Sequence, residues 1–206
     1  MHFDVIVFDF DGTLVQSAEA KREAFYRLFP DEAPYREVVA DVLRSDPDGS
    51  RHVVIPRMIE TMTERGLALP ATHGDTDRIG AYAQAVYAAQ SGAAECDGAS
   101  EILHHLHACA AIYISSNTPE VDLATLLEKR GWTRFVSGWF GHPRDKSTTL
   151  SALIARHGGD PSRVAVVGDS SSDEHAAAAH GCPFFRVGGP VTLRHIAVEM
   201  ESGTRA

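Results

Sequence analysis

The sequence predicts an α/β protein: a parallel sheet covered by helices on both faces, with a helical subdomain inserted early in the chain. Three observations predict it. Five short apolar, β-rich runs are spread along the 206 residues. Amphipathic stretches of helical length separate most of them. The interval between the first two runs is far longer than one crossover requires.

The elements follow in order. Phe3-Asp4-Val5-Ile6-Val7-Phe8 reads as the first strand, and its apolar run predicts burial on both faces. Ala110 to Ser115 is a second strand, Phe135 to Phe140 a short third, Arg163 to Val167 a fourth and Pro183 to Val187 a fifth. Helical patterns cover Gly98 to Ala108, Glu120 to Arg130, Lys146 to His157 and Asp173 to His180. This alternation is that of a Rossmann-like core. From about Ser17 to Ala94 the pattern is helical throughout, strongest over Glu19 to Phe29, Arg51 to Arg65 and Asp77 to Gln90. Asp46-Pro47-Asp48-Gly49 and Leu69-Pro70 punctuate it. The expected organisation is a core of residues 1–16 and 95–206 with a helical insertion at 17–94. Gly188-Gly189-Pro190 reads as a turn before one last helix, with fraying from Gly203 onward.

Composition narrows the function. Hydrophobic residues at 44% and charged residues at 23% are ordinary globular values. No apolar run approaches the roughly 20 residues of a membrane span. Met1-His2-Phe3-Asp4 has neither the basic start nor the apolar core of a signal peptide, so a cytoplasmic protein without membrane association is expected. Cys96, Cys109 and Cys182 are widely spaced and imply no disulfide framework. A formal charge of −9 opposes nucleic-acid binding, which needs a basic face. It permits an anionic substrate if carboxylates hold a local cation.

Chemistry concentrates where strands end. Asp9-Phe10-Asp11-Gly12-Thr13-Leu14 directly follows the first strand, and parallel sheets bind ligands beyond the carboxyl ends of their strands. The same residues also suit an Asp-Gly turn with solvated carboxylates. Gly168-Asp169-Ser170-Ser171-Ser172-Asp173 closes the fourth strand. There Asp173 also suits a favourable charge in the first turn of a helix. Together the two segments bring four carboxylates, which repel unless a hard cation such as Mg²⁺ sits among them. Ser115-Ser116-Asn117-Thr118-Pro119 ends the second strand with groups that can bind phosphate oxygens or cap a helix. Lys146, ahead of an apolar helix, is either a surface charge or the fixed cation that such a phosphate site needs.

Other residues carry less. His104-His105-x-His107 puts only His104 and His107 on one helix face, without a further ligand at metal spacing. Arg51 and His52, after Asp48-Gly49-Ser50, are candidates for substrate contact or a solvated helix start, and Lys21 and Arg22 stand equally.

Asp9-x-Asp11-Gly12-Thr13, Ser116-Asn117, Lys146 and Gly168-Asp169-Ser170-x-x-Asp173 occur in the order of the four motifs of the haloacid dehalogenase-like (HAD) hydrolases. More narrowly, the chain resembles the phosphoglycolate phosphatase and β-phosphoglucomutase branch, over residues 3–16 and 97–190. The insertion matches the place and size of that branch's helical cap. One departure is Gln16-Ser17, where many relatives read Asp-Ser, and this bears on cap geometry or substrate choice. The resemblance implies that Asp9 is a nucleophile forming an aspartyl-phosphate and that Asp11 is the general acid and then base. It implies Mg²⁺ held by Asp9, the backbone carbonyl of Asp11 and Asp169, with Asp173 acting through water. Ser116, Asn117 and Lys146 would bind the phosphoryl oxygens, and Arg51 is the cap candidate for substrate contact.

The expected function is a Mg²⁺-dependent phosphatase acting on a small phosphorylated metabolite, as a monomer or weak homodimer. A phosphomutase uses the same groups and remains the alternative. A metal-independent dehalogenase has no need of an acid at Asp11, and a non-catalytic phosphate-binding protein has no need of the complete set.

Overall fold

The computed structural model describes residues 2–47, 49–69 and 75–202. The chain divides into two compact units, Met1–Gln16 with Ala93–Ala206, and Ser17–Gly92.

The first unit is built on β1 (Val5–Phe8), whose Val5, Ile6, Val7 and Phe8 are all buried. A strand apolar on both faces belongs at the centre of a sheet. It pairs in parallel with β2 (Ala111–Pro119) on one side and with β4 (Val164–Gly168) on the other. With β3 (Gly138–His142) and β5 (Phe184–Arg186) the order is β3-β2-β1-β4-β5, all parallel. The chain winds outward from β1 in one direction and then returns to wind outward in the other. That reversal opens a crevice at the carboxyl ends of β1 and β4.

In the Ser17–Gly92 unit, α1 (Ala18–Tyr26), α2 (Ala33–Ser45), α3 (Arg51–Glu64) and α4 (Asp75–Gly92) share a core of their own. Phe25 of α1 stacks on Tyr82 of α4 with ring centroids 4.2 Å apart, and Val38, Ile55, Met58 and Met62 are fully buried. Helix α2 adds to the three strongest helical segments expected; Pro34 in its first turn is preorganised for a helix start. Among the expected punctuation, Asp46 caps α2, while Asp48 and Pro70 lie outside the described residues.

The crossovers of the first unit are α5 (Ala99–Leu106), α6 (Glu120–Lys129), α7 (Lys146–Arg156) and α8 (Ser171–His180). Leu150 and Leu153 of α7 and Ala176 and Ala177 of α8 pack with Val5, Val7 and Val166. The expected last helix is α9 (Leu193–Ser202), and the fraying expected from Gly203 lies outside the described residues. Near the insertion the two chain segments pair: Val15 bridges Glu95, and Gln16 binds the carbonyls of Ala94 through its N–H (2.9 Å) and Glu95 through Nε2 (2.8 Å). No helix among the described residues is long and apolar enough to cross a membrane.

Candidate active site

Asp9 is the first residue past β1, and its N–H still joins the ladder, donating to the Val167 carbonyl at 2.9 Å. The chain then folds back, with Leu14 and Val15 N–H both donating to the Phe10 carbonyl at 3.0 Å. Gly12 has φ 85°, a left-handed conformation that costs a glycine little. Phe10 is wholly buried and meets Trp132 edge-on, which anchors the loop between the two acids. Asp9 and Asp11 are themselves only 6% and 7% exposed.

The β4 end supplies Asp169 and Asp173. Ser170 caps α8, and its hydroxyl donates to Asp173 Oδ2 at 2.6 Å. Gly168 is required by close approach, because a Cβ there would lie 2.4 Å from Asp173 Cγ. Thr13 donates to Asp169 Oδ1 at 3.3 Å, linking the two acidic segments. Asp9, Asp169 and Asp173 each offer a carboxylate oxygen, and these oxygens lie within 4.8 Å of one another.

Lys146 begins α7 just after Asp145, the helix cap, which accepts from the Thr148 N–H at 2.7 Å. Its Nζ lies 2.8 Å from Asp9 Oδ1 and 2.7 Å from Asp173 Oδ1. Burial alone would lower the lysine pKa, but the two carboxylates outweigh it and raise the value. Asp9 is pushed up to about 8, first by burial and then by repulsion from Asp173, Asp11 and Asp169, which Lys146 only partly offsets. Asp169 is raised too, by burial and then by Asp173. One ammonium among these carboxylates leaves excess negative charge. Three convergent oxygen donors with that excess fit a hard divalent cation.

Asp11 is held separately. Its Oδ2 accepts from Thr118 Oγ1 at 3.0 Å and from Ser116 Oγ at 3.4 Å. Asn117 lies exposed between the buried Ser116 and Thr118. The structure therefore gathers Asp9, Asp169, Asp173 and Lys146, and places Asp11 and Ser116 together beside them. Arg51 belongs to the other unit, where it opens α3 with its guanidinium 6.0 Å from the Tyr82 ring centroid.

A family model for the haloacid dehalogenase-like hydrolases matches residues 3–181. The chain belongs to that family. Among solved structures, this HAD hydrolase is similar to a predicted phosphoglycolate phosphatase from Haemophilus somnus, with TM-score 0.69, 19% identity and coverage of 100% and 99% of the two chains. It is also similar to CbbY from Rhodobacter sphaeroides in complex with phosphate, with TM-score 0.64, 20% identity and coverage of 92% and 88%. The magnesium-bound YfnB of Bacillus subtilis superposes with TM-score 0.66 at 16% identity, covering 89% and 88%. At these identities the likeness is one of fold. A curated relative is the tyrosine-protein kinase PtkA of Mycobacterium tuberculosis, 28% identical over 194 residues. The match covers 89% of the HAD hydrolase but only 62% of that relative's length.

Two residues of the hydrolase hold places at the site that the sequence motifs do not assign to them. Thr118 carries a shorter bond to Asp11 than Ser116 does, and strand alternation was the available signal, since residues two apart share a face. Arg186, which donates to the Asp169 carbonyl at 2.7 Å, gives no local signal because its partner lies on the neighbouring strand's turn.

Proposed function

We propose that the chain is a Mg²⁺-dependent phosphatase that hydrolyses a small phosphorylated metabolite through an aspartyl-phosphate on Asp9. The observation that carries this reading is the division of labour between the two acids. Asp9 sits buried against Lys146 and within reach of Asp169 and Asp173, whereas Asp11 is held by two hydroxyl donors.

Asp9, Asp169 and Asp173, with the Asp11 carbonyl, are the groups that would hold Mg²⁺. Bound there, the cation would neutralise phosphoryl charge and keep Asp9 ionised. An oxygen of Asp9 attacks phosphorus in line as the bond to the leaving oxygen breaks. Asp11 donates the proton which that leaving oxygen needs. Asp11, now ionised, takes a proton from the water that attacks the aspartyl-phosphate, releasing inorganic phosphate and restoring Asp9. Lys146, Ser116 and Asn117 fix the transferring oxygens, and such charge placement does most of the work in phosphoryl transfer. The Ser17–Gly92 unit is read as the cap that excludes bulk water during these steps.

A phosphomutase remains the second reading, because the same phospho-aspartate can pass its phosphoryl group to a hydroxyl. The mycobacterial relative is a tyrosine-protein kinase by name, which favours a hydroxyl acceptor. A panel of phosphorylated metabolites with Mg²⁺ separates the two readings. Stoichiometric phosphate release, with ¹⁸O from labelled water in the product, supports hydrolysis. Isomerised or transferred phosphate without release overturns it.

A further inference from the structure

The turn between β4 and α8 delivers both Asp169 and Asp173, and one side chain outside the acidic cluster holds that turn at two points. Arg186 ends β5 and pairs in register with Gly168. Its Nη1 donates to the backbone carbonyl of Asp169 at 2.7 Å. Its Nη2 pairs with the carboxylate of Glu174, the residue after Asp173 in the first turn of α8. The guanidinium carbon lies 5.3 Å from the Phe184 ring centroid, which adds a third support on the same strand. A planar guanidinium holds its two acceptors in a fixed mutual geometry. Both ends of the segment that carries the two carboxylates are therefore tied to one rigid group.

We propose that Arg186 is a positioning residue for the cation site: it orders Asp169 and Asp173 before Mg²⁺ arrives and supplies no ligand itself. This rests on the reading of the acidic cluster as a Mg²⁺ site. The sign of its effect is diagnostic. A positive charge near a cation site repels the cation, so loss of that charge alone tightens Mg²⁺ binding. Loss of ordering weakens it, and partners that orient metal ligands matter by about 10–100-fold in affinity. The Arg186–Glu174 pair is about half exposed on both sides, so as a plain ion pair it contributes little to folding.

The test titrates Mg²⁺ alone into metal-stripped protein by calorimetry, with the metal-free melting temperature as a control. Arg186→Met weakens Mg²⁺ about ten-fold while the melting temperature stays close to that of the unaltered chain. Arg186→Lys recovers part of the affinity, since an ammonium can reach the carbonyl but cannot hold both partners. Glu174→Gln keeps the bond to the carbonyl and weakens binding less than Arg186→Met. Equal or tighter Mg²⁺ binding by Arg186→Met overturns the proposal. If that variant does not fold, Arg186→Lys decides, because charge alone predicts unchanged affinity and ordering predicts a loss. Absence of Mg²⁺ binding by the unaltered chain would instead remove the metal reading, and the Arg186 proposal with it.

Discussion

Lys146 Nζ lies 2.8 Å from Asp9 Oδ1, with the lysine side chain 11% and the aspartate 6% exposed. Breaking a buried pair from one side leaves the partner charge without compensation, a loss of about 3–5 kcal/mol. Lys146→Met is therefore expected to destabilise the metal-free protein by about 3 kcal/mol at pH 8. The loss is smaller at pH 5, where Asp9, whose pKa burial raises, takes up a proton instead. Phosphate release should fall at least about 100-fold, the scale for losing one charge-stabilising donor. Denaturant melts at the two pH values check the first part. A variant as stable as the unaltered chain at pH 8 would show that the ammonium does not compensate the acids.

The raised pKa of Asp9 gives a pH dependence whose sign can be worked out. Its value moves from 3.8 to about 8, so between those limits the folded state binds more protons than the unfolded chain. Stability then falls as pH rises through that window. A divalent cation favours the ionised form, so the stabilisation by Mg²⁺ should grow over the same window. Melting temperatures with and without Mg²⁺ should diverge more at pH 8 than at pH 5, and chelation should abolish phosphate release. A larger Mg²⁺ shift at pH 5, or full turnover in excess EDTA, counts against the assignment.

Much of this arrangement is legible in the sequence because it rests on local pattern. The apolar run to Phe8 identifies a central strand, and the residues just after it must stand at the sheet's ligand-binding edge. The same logic places Asp169 after β4. The sequence is less informative where partners are chosen by packing across strands. Thr118 and Asn117 have equal chemical claims on a phosphate site, and only the strand's alternation turns Thr118 inward to Asp11. Arg186 reaches Asp169 across a strand pairing that no spacing rule encodes. Helix α2 buries Val38, Val39 and Val42, a face whose signal is diluted within one long helical stretch of sequence.

Gly168 offers a test of packing at the site. An added methyl would lie 2.4 Å from Asp173 Cγ and 2.6 Å from its Cβ. Gly168 ends a strand that is buried along its length, and Asp173 is 2% exposed, so neither side yields easily. Gly168→Ala should cost about 1–3 kcal/mol of stability, the range for overpacking. It should also weaken Mg²⁺ binding by displacing Asp173. Urea unfolding and Mg²⁺ calorimetry together check this; native affinity in the variant would mean that Asp173 can move without consequence.

The two acids at the β1 end should fail in different ways when each loses its charge. On the proposed mechanism Asp9→Asn removes the nucleophile, since an amide oxygen attacks phosphorus poorly, and should abolish turnover and any covalent phospho-enzyme. It also removes one of several mutually repelling carboxylates while Asp173 still pairs with Lys146. The metal-free Asp9→Asn variant should therefore melt no lower than the unaltered chain at pH 8. On the same mechanism Asp11→Asn keeps the nucleophile and loses the proton donor and base. Its turnover should drop by about 100- to 10,000-fold, the span of general acid–base catalysis. With an activated ester, whose leaving group needs little protonation, it should still form the aspartyl-phosphate and then retain it, because the base for hydrolysis is gone. The variant amide can still accept from Thr118, so the loop remains supported. Mass spectrometry of the acid-quenched variants decides the matter. Phosphate on the peptide containing Asp9 in Asp11→Asn, and on none in Asp9→Asn, is the expected result. Phosphate on a serine or histidine peptide, or near-native rates in Asp9→Asn, would assign the chemistry to another group.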